Sequence, residues 1–472
     1  MGGITSMAIQ ARSLDVNSKS SGKLSVLEYM AYGCGDYASN IIYSAMATFL
    51  LFYYTDVIGV NAAAVGSIML VSRLLDGVSD LIMGVLIDRT KSKYGKARPW
   101  LLRMSIPYFI GSVLLFSVPI DWSEKGKLAY IFLTYNFAFT GVFTAINLPY
   151  ATMNSLMTQD QYERSVLTIY RMIFATMGTL SISTLTLPVV KFFGNDARAW
   201  TYTFIVFGIV AVVFFLLTFL GCKERVGSHL DESNRNSKPI PLAQGLKALT
   251  KNKYWLIMTG VLLLAYITMA INGGATVYYA KTLLNDEGLV SQLTWATSFT
   301  QIIAMLVVAR FIKKYGKRNV LITGCIISII GFLMIVVMPS NINLVIIGNI
   351  IRGIGGAGTA SCMFAMVSDT IEYGEWKTGL RTEGLVNSAA SFGQKVGNGL
   401  GTAIVGWVLA ICGYVGGVAV QSESAIFAIK ALYIYVPIIL TVIEIIILFA
   451  YKLDKEYPSI LEELKQRKLD AN

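Results

Sequence analysis

Three charged side chains, Arg73, Asp76 and Asp80, interrupt a long apolar stretch over residues 62–87. They fall at i, i+3 and i+7, so at 3.6 residues per turn they share one face of a helix. A charge at mid-bilayer costs roughly 2.5 to 3.5 kcal/mol even on the lenient insertion scale, so a spanning helix turns such a face toward a bundle interior or a wet cavity. Two carboxylates one turn apart, beside a cation, have the chemistry of a small-ion site. Hard cations take oxygen ligands, and Thr144 and Asn147 in a later apolar stretch offer neutral oxygens. A bound proton is the alternative, because like charges raise a carboxylate pKa and two close carboxylates then share one proton. A third reading needs no ligand: Arg73 and Asp76 neutralise each other and lock two helices. That reading leaves Asp80 unexplained.

Other polar side chains stand where lipid would reject them. Asp36 follows Gly33 and Gly35, and glycines allow backbone or ligand to approach closely. It reads as an inward acceptor for the hydroxyls of a polar substrate, or as an acid at the membrane interface. Tyr43, seven residues on, shares its face and presents an aromatic plate on which a sugar ring can stack. Arg171 lies a short way into the fifth apolar stretch. Lys395 is flanked by Gly393, Gly397 and Gly399, so its helix can pack closely on a neighbour. An ion pair between Lys395 and an aspartate of another helix is the simplest role. A cation competing for that aspartate turns the pair into a switch. Arg352 fits a structural or a functional role equally.

The elements that position these residues follow from composition. The 472 residues are 55% hydrophobic and 14% charged, with mean hydropathy +0.60. Soluble domains carry roughly 25% charged residues, so the chain reads as an all-α integral membrane protein. Apolar runs long enough for ~30 Å of hydrocarbon recur near residues 28–54, 62–87, 100–119, 128–150, 166–191, 199–221, 254–281, 290–312, 319–338, 342–368, 384–412 and 427–450. That gives about twelve spans. The net charge of +11 concentrates in loops such as 88–98 and 313–318, on one side of the membrane. This asymmetry places both termini in the cytoplasm and argues for contact with anionic lipid rather than nucleic acid. Lys93-Tyr-Gly-Lys96 recurs as Lys314-Tyr-Gly-Lys317, after the second run of each half. The resulting division is an N-terminal tail (1–27), a six-helix half (28–222), a linker (223–253), a second six-helix half (254–451) and a C-terminal tail (452–472). Five scattered cysteines and one histidine, His229, offer no transition-metal set. No nucleophile–base pair or phosphate loop suggests an enzyme.

Together these residues resemble the glycoside–pentoside–hexuronide:cation symporters of the major facilitator superfamily. The motifs are Gly35-Asp36, Phe52-Tyr-Tyr-Thr-Asp56, Arg73-Leu-Leu-Asp76-Gly-Val-Ser-Asp80, Tyr94-Gly-Lys-Ala-Arg-Pro-Trp100, Asn147-Leu-Pro149, Ser368-Asp-Thr-Ile-Glu-Tyr-Gly-Glu375 and Gln394-Lys395. The resemblance spans roughly residues 27–455. It implies a major facilitator fold, a cation pair at Asp76 and Asp80 with Thr144 and Asn147 as neutral neighbours, and sugar contacts at Asp36, Tyr43, Arg171, Asn147 and Lys395. Two departures from the melibiose-permease pattern matter: Asn147 replaces an aspartate and Ala151 a tryptophan. Both turn the expectation away from melibiose and toward the glucuronide and xyloside branches.

The expected function is symport of a glycoside with H+ or Na+ through the plasma membrane of a bacterium, by a monomer with no cofactor. Arg73 and Lys395 would couple the two sites. Asp88 or Glu372 against Arg98 or Arg381 would latch the cytoplasmic gate. A sugar sensor or an uncoupled facilitator on the same fold is the alternative.

Overall fold

The computed structural model describes residues 24–158, 160–225, 242–380, 383–418 and 420–470. Among them there is no strand. Helix α1 runs through Val26–Ala45 and two π-helical turns, Met46–Leu50 and Tyr53–Val57. Next come α2 (Ala62–Arg89), α3 (Arg98–Leu115) and α4, which passes from Glu124–Tyr135 through a π-helical stretch, Asn136–Phe143, into Thr144–Met157. Helices α5 (Gln161–Phe192) and α6 (Ala197–Gly221) complete the first half. The second half holds α7 (Lys253–Leu283), α8 (Leu289–Tyr315), α9 (Lys317–Val337), α10 (Ile342–Thr378), α11 (Glu383–Ile411) and α12. The last begins at Glu423–Lys430 and ends at Val436–Phe449.

Eight of these helices are long and apolar enough to cross a membrane among the described residues. Along α12, Ile439, Ile443, Ile446 and Phe449 are exposed at helical spacing, which is the stripe a lipid-facing helix presents. Several helices outrun their apolar stretches: α4 and α10 reach Met157 and Thr378. Helical hydrogen bonding does not stop where hydrocarbon does, and polar ends project into water. The expected linker and tail also fold in part. A helix covers Leu242–Lys251, and α13 (Leu453–Asp470) docks on α10, with Trp376 Nε1 donating to Glu463 at 2.7 Å. Residues 1–23 and 226–241 lie outside the description.

Call the side where α1 starts the near face and the side where it ends the far face. The repeated loops do the same job in each half on the near face. Glu224 accepts the amides of Lys96, Ala97 and Arg98, each at 2.9 Å, at the start of α3. Gly95 (φ +106°) permits this, since a Cβ there would run into that carboxylate. Arg98 then donates to Phe219 O at 2.6 Å. In the second half Asp454 accepts the Arg318 amide at 2.8 Å, and Arg318 donates to Leu448 O at 2.9 Å. Carboxylates at helix starts and cations at helix ends satisfy orphan backbone groups. The internal repeat is thus a structural bracket tying α3 to α6 and α9 to α12.

The halves meet through α2 with α11, α5 with α8, and α1 with α7. Apolar packing is continuous across them on the far side, where Phe52, Tyr53 and Tyr54 share one cluster with Tyr278, Leu409 and Tyr433. A second cluster, around Tyr254, Met366 and Tyr451, belongs to the second half alone. Polar bonds reinforce the far-face closure. Asp56 accepts from Lys281 (2.7 Å), Tyr414 (2.8 Å) and the Gly417 amide (3.4 Å), and Thr55 bonds Tyr278 at 2.8 Å. Trp295 reaches Thr184 and Trp407 reaches Ser67, both at 2.9 Å. Lys281→Met removes the cationic partner of a carboxylate that is 2% exposed. Because hydrogen bonds to charged groups are worth about 1.5–3 kcal/mol, the far-face-closed population should fall about ten- to a hundredfold. Spin-label distances between the far ends of α1 and α7 should lengthen; an unchanged distribution would show that apolar packing alone holds this face.

Candidate functional site

Depth along the helices brings the singled-out residues together. At 1.5 Å per residue, Asp36 lies about 15 Å in from the near end of α1, and Arg171 about 15 Å in along α5. Counting back from the near ends of α2 and α4 by the same rise, Asp80 is about 14 Å deep and Asn147 about 15 Å. Lys395 is about 18 Å along α11. These are mid-membrane depths, where an ionised group needs a partner.

Each of the charged ones has a partner. Arg171 Nε donates to Asp36 at 3.1 Å, and its guanidinium lies 5.4 Å from the centre of the Tyr150 ring. Tyr150 stacks on Tyr32 at 4.8 Å and donates to the Tyr32 carbonyl at 2.7 Å. The expected sugar-contacting acid and arginine are thus one partly buried ion pair on an aromatic floor. On α2, Arg73 Nη1 reaches Asp76 at 3.4 Å, the i, i+3 pair that the spacing allows. The Arg73 guanidinium also sits 3.7 Å over the Phe139 ring of α4, a favourable cation–π placement. Asp80 is held across the halves by Lys395, which also approaches the Asp76 carbonyl at 3.5 Å.

The two carboxylates differ in environment. Asp76 has 1% side-chain exposure and is enclosed by helices, whereas Asp80 is 31% exposed. A neutral oxygen does reach Asp76, but from Thr140, which donates at 2.5 Å. Thr144, the expected neutral ligand, is buried one turn further on and makes no side-chain hydrogen bond among the described residues. The reason is the π-helical stretch of α4. Five residues per hydrogen-bonded turn instead of four rotate the following face and point Thr140 and Asn136 at α2. Asn136 accordingly donates to Ser72 at 2.9 Å, and Ser79 donates to the freed Thr140 carbonyl.

Asn147 is half-buried, and its Oδ1 is enclosed with no hydrogen-bond partner. An orphan acceptor in a buried wall costs about 1–3 kcal/mol and suits a ligand that brings a donor, such as a hydroxyl. Tyr43 faces Phe139 and Phe143 of α4 at centroid distances of 6.1 and 6.0 Å, and its hydroxyl accepts from Asn398 of α11 at 3.4 Å. Thr140 and Asn398 were missed at the sequence level. Asn398 had a signal, since it lies one helical turn past Lys395.

Arg98, an expected gate residue, donates to the Phe219 carbonyl inside its own half. Glu372 lies at the near end of α10. The Asp88 side chain and Arg381 lie outside the described residues. Arg352 donates to Asn349 at 2.8 Å and sits 4.1 Å over the Phe332 ring, within the second half.

Two packed halves of long helices, eight of them long and apolar enough to cross a membrane among the described residues, with an ion pair at mid-depth between the halves, define a membrane transporter of the major facilitator fold. The MFS/sugar transport protein family matches residues 31–455, and the chain belongs to that family. It is 33% identical to the isoprimeverose transporter of Lactiplantibacillus pentosus, covering 94% of this chain and 92% of that one. It is also 33% identical to the putative glycoside/cation symporter YagG of Escherichia coli (strain K12), over 91% and 93% of the two chains. Among solved structures, a bacterial homologue of the human lysosomal transporter Spinster, in an inward-facing and occupied conformation, shares the fold. Its TM-score is 0.62 at 12% identity, over 92% of this chain and 96% of that one. The chain is a transporter and not an enzyme, and its likeness to the glycoside/cation symporters holds along its length.

The Thr140 geometry gives a direct comparison. Thr140→Val strips a hydrogen bond from a buried carboxylate and should lower stability by about 1.5–3 kcal/mol. Thr144→Val removes no such bond and should change it far less. Thermal unfolding of the two purified variants in detergent checks the order; a larger loss in Thr144→Val would place Thr144, not Thr140, at Asp76.

Proposed function

We propose that this chain is a symporter that moves a glycoside or short oligosaccharide together with H+ or Na+, the cation binding at Asp76 and Asp80. The supporting observation is the Lys395–Asp80 ion pair across the two halves. A cation arriving at the carboxylates competes with the lysine ammonium for Asp80, the more exposed of the two. Lys395 is then free to reorient, and the contact between α2 and α11 changes. The sugar site is assigned to Asp36, Arg171, Tyr43 and Asn147, with Lys395 between it and the cation. Coupling is mutual stabilisation, so the sugar must tighten the cation by the same factor that the cation tightens the sugar.

The names of relatives, an isoprimeverose transporter and a putative glycoside/cation symporter, support a glycoside as the substrate class, and β-xylosides, glucuronides and galactosides are the candidates proposed within it. Asn147 and Ala151 disfavour melibiose. Transport follows from rocking of the halves about the occupied site. The near face is assigned to the cytoplasm, because the basic loops 88–98 and 313–318 lie there, in the plasma membrane of a bacterium. The chain acts as a monomer with no cofactor. The gate on that face is assigned to these loops with residues 369–381, including Asp88, Glu372 and Arg381.

Radiolabelled uptake into membrane vesicles tests this reading. A panel of β-xylosides, glucuronides and galactosides is offered under a sodium gradient or a proton gradient. Uphill accumulation under one of them should fall at least about tenfold in Asp80→Asn and in Asp76→Asn, since an uncompensated buried charge or lost ligand costs more than 1.4 kcal/mol. Wild-type accumulation that ignores both gradients would sink the symport reading.

A further inference from the structure

One strip of α11 touches the parts of both candidate sites that belong to the first half. Lys395 donates to Asp80. Asn398, one turn further on and 8% exposed, donates Nδ2 to the Tyr43 hydroxyl at 3.4 Å. Gly399 lies so close to α2 that a Cβ there would come within 2.8 Å of Arg73 Cβ. Cation-site acid, aromatic plate and the arginine paired with Asp76 therefore all abut one short helical segment.

We propose that Asn398 is the positioning residue that transmits the state of the Asp76/Asp80 site to Tyr43, and so sets how strongly cation and sugar binding reinforce each other. The inference rests on the symport reading above and deepens it.

The mechanics follow from rigidity. Lys395 and Asn398 are three residues apart on a continuous helix, so they move together. The helix is seated tightly at glycines. A Cβ at Gly397 would stand 2.9 Å from Leu263 O of α7, and one at Gly66 would stand 3.1 Å from Ala403. A helix clamped in this way tilts rather than slides when one polar tie is exchanged. Release of Lys395 by a cation then displaces Asn398 relative to Tyr43. On its other side the Tyr43 ring meets Phe139, which carries the Arg73 guanidinium at 3.7 Å. Phe139 lies on α4, in the same half as Tyr43, so that wall moves with the ring. Asn398 is the contact of Tyr43 that moves with Lys395, and its hydrogen bond sets the tilt of the ring that a sugar stacks on.

The test uses the full chain in lipid nanodiscs and calorimetric titration. The probes are nitrophenyl β-xyloside, glucuronide and galactoside, with NaCl against choline chloride and pH 6 against pH 8. The ratio of glycoside Kd without and with the effective cation is the coupling factor. A neutral hydrogen bond is worth up to about tenfold in an equilibrium constant. In Asn398→Leu the factor should therefore drop about three- to tenfold, while each ligand's Kd in the absence of the other stays within about threefold of wild type. Asn398→Ser, a milder change, should show the same direction. In a double-mutant cycle with Tyr43→Phe the loss of coupling should be non-additive. An unchanged factor in Asn398→Leu and Asn398→Ser overturns the inference. So does a loss of glycoside affinity that is equal with and without cation, since that marks a plain sugar contact or a structural residue. A wild-type factor of one refutes the symport reading itself, before any variant is compared.

Discussion

The arrangement of this protein turns on one constraint: an ionised side chain at mid-membrane must find its counter-charge inside the bundle. Asp36 and Arg171 meet within the first half, and so do Arg73 and Asp76. Among the described residues, two pairs join the halves. Asp56–Lys281 lies at the far ends of α1 and α7, and its carboxylate also holds a tyrosine hydroxyl and a backbone amide. Asp80–Lys395 lies at mid-depth, is partly open to its surroundings, and rests on the lysine alone among side chains. The far pair is the more enclosed at its carboxylate, with the Asp56 side chain 2% exposed against 31% for Asp80. The two differ in what replaces a lost partner. Without its lysine Asp56 keeps the Tyr414 and Thr55 hydroxyls and the Gly417 amide, whereas Asp80 must find another cation. On the proposed mechanism the mid-depth pair is the one exchanged, and the far pair the fixed one.

Exchange is useful only if the bodies on either side are stiff. The brackets built by Arg98 with Glu224 and by Arg318 with Asp454 supply that stiffness. Each ties the start of one helix to the end of another three positions later, using backbone groups that would otherwise lack partners. A side chain so employed is poorly suited to an opening latch, because its release would orphan a carbonyl as well as break a pair. Basic loops on the near face thus do two different jobs. Some of their charge is locked into the architecture of a half, and the rest carries the proposed cytoplasmic orientation.

How much of this was legible in the chain depends on the length scale of each feature. Apolar runs of membrane-spanning length, the sidedness of Lys and Arg, and the repeated Lys-Tyr-Gly-Lys segment all carry the fold, because each is a local pattern with a strong physical cause. Asp76, Asp80 and Lys395 were also readable, since a charge inside an apolar run has few explanations. Thr140 was not. Its place against Asp76 depends on the π-helical register of α4, which no residue type in Asn136–Phe143 announces. The role of Arg98 needed the three-dimensional return of α6 to its own loop. Asn398 falls between these cases. Its spacing from Lys395 was available, but its partner Tyr43 lies on a helix of the other half.

A last asymmetry bears on how the halves move. Apolar packing is continuous between them on the far side, while the near-side cluster around Tyr254 and Tyr451 stays within the second half. Apolar contact is non-directional and scales with area, so it holds a closed face without sensing any ligand. An equilibrium biased only by such contact would be fixed. Ligands shift it only through groups whose partners differ between states. On the proposed mechanism those groups are the polar ties at mid-depth, Asp80 with Lys395 and Tyr43 with Asn398. They are weak against the total packing. Their leverage comes from sitting on α11, where glycine contacts with α2 and α7 bring the backbones of both halves together.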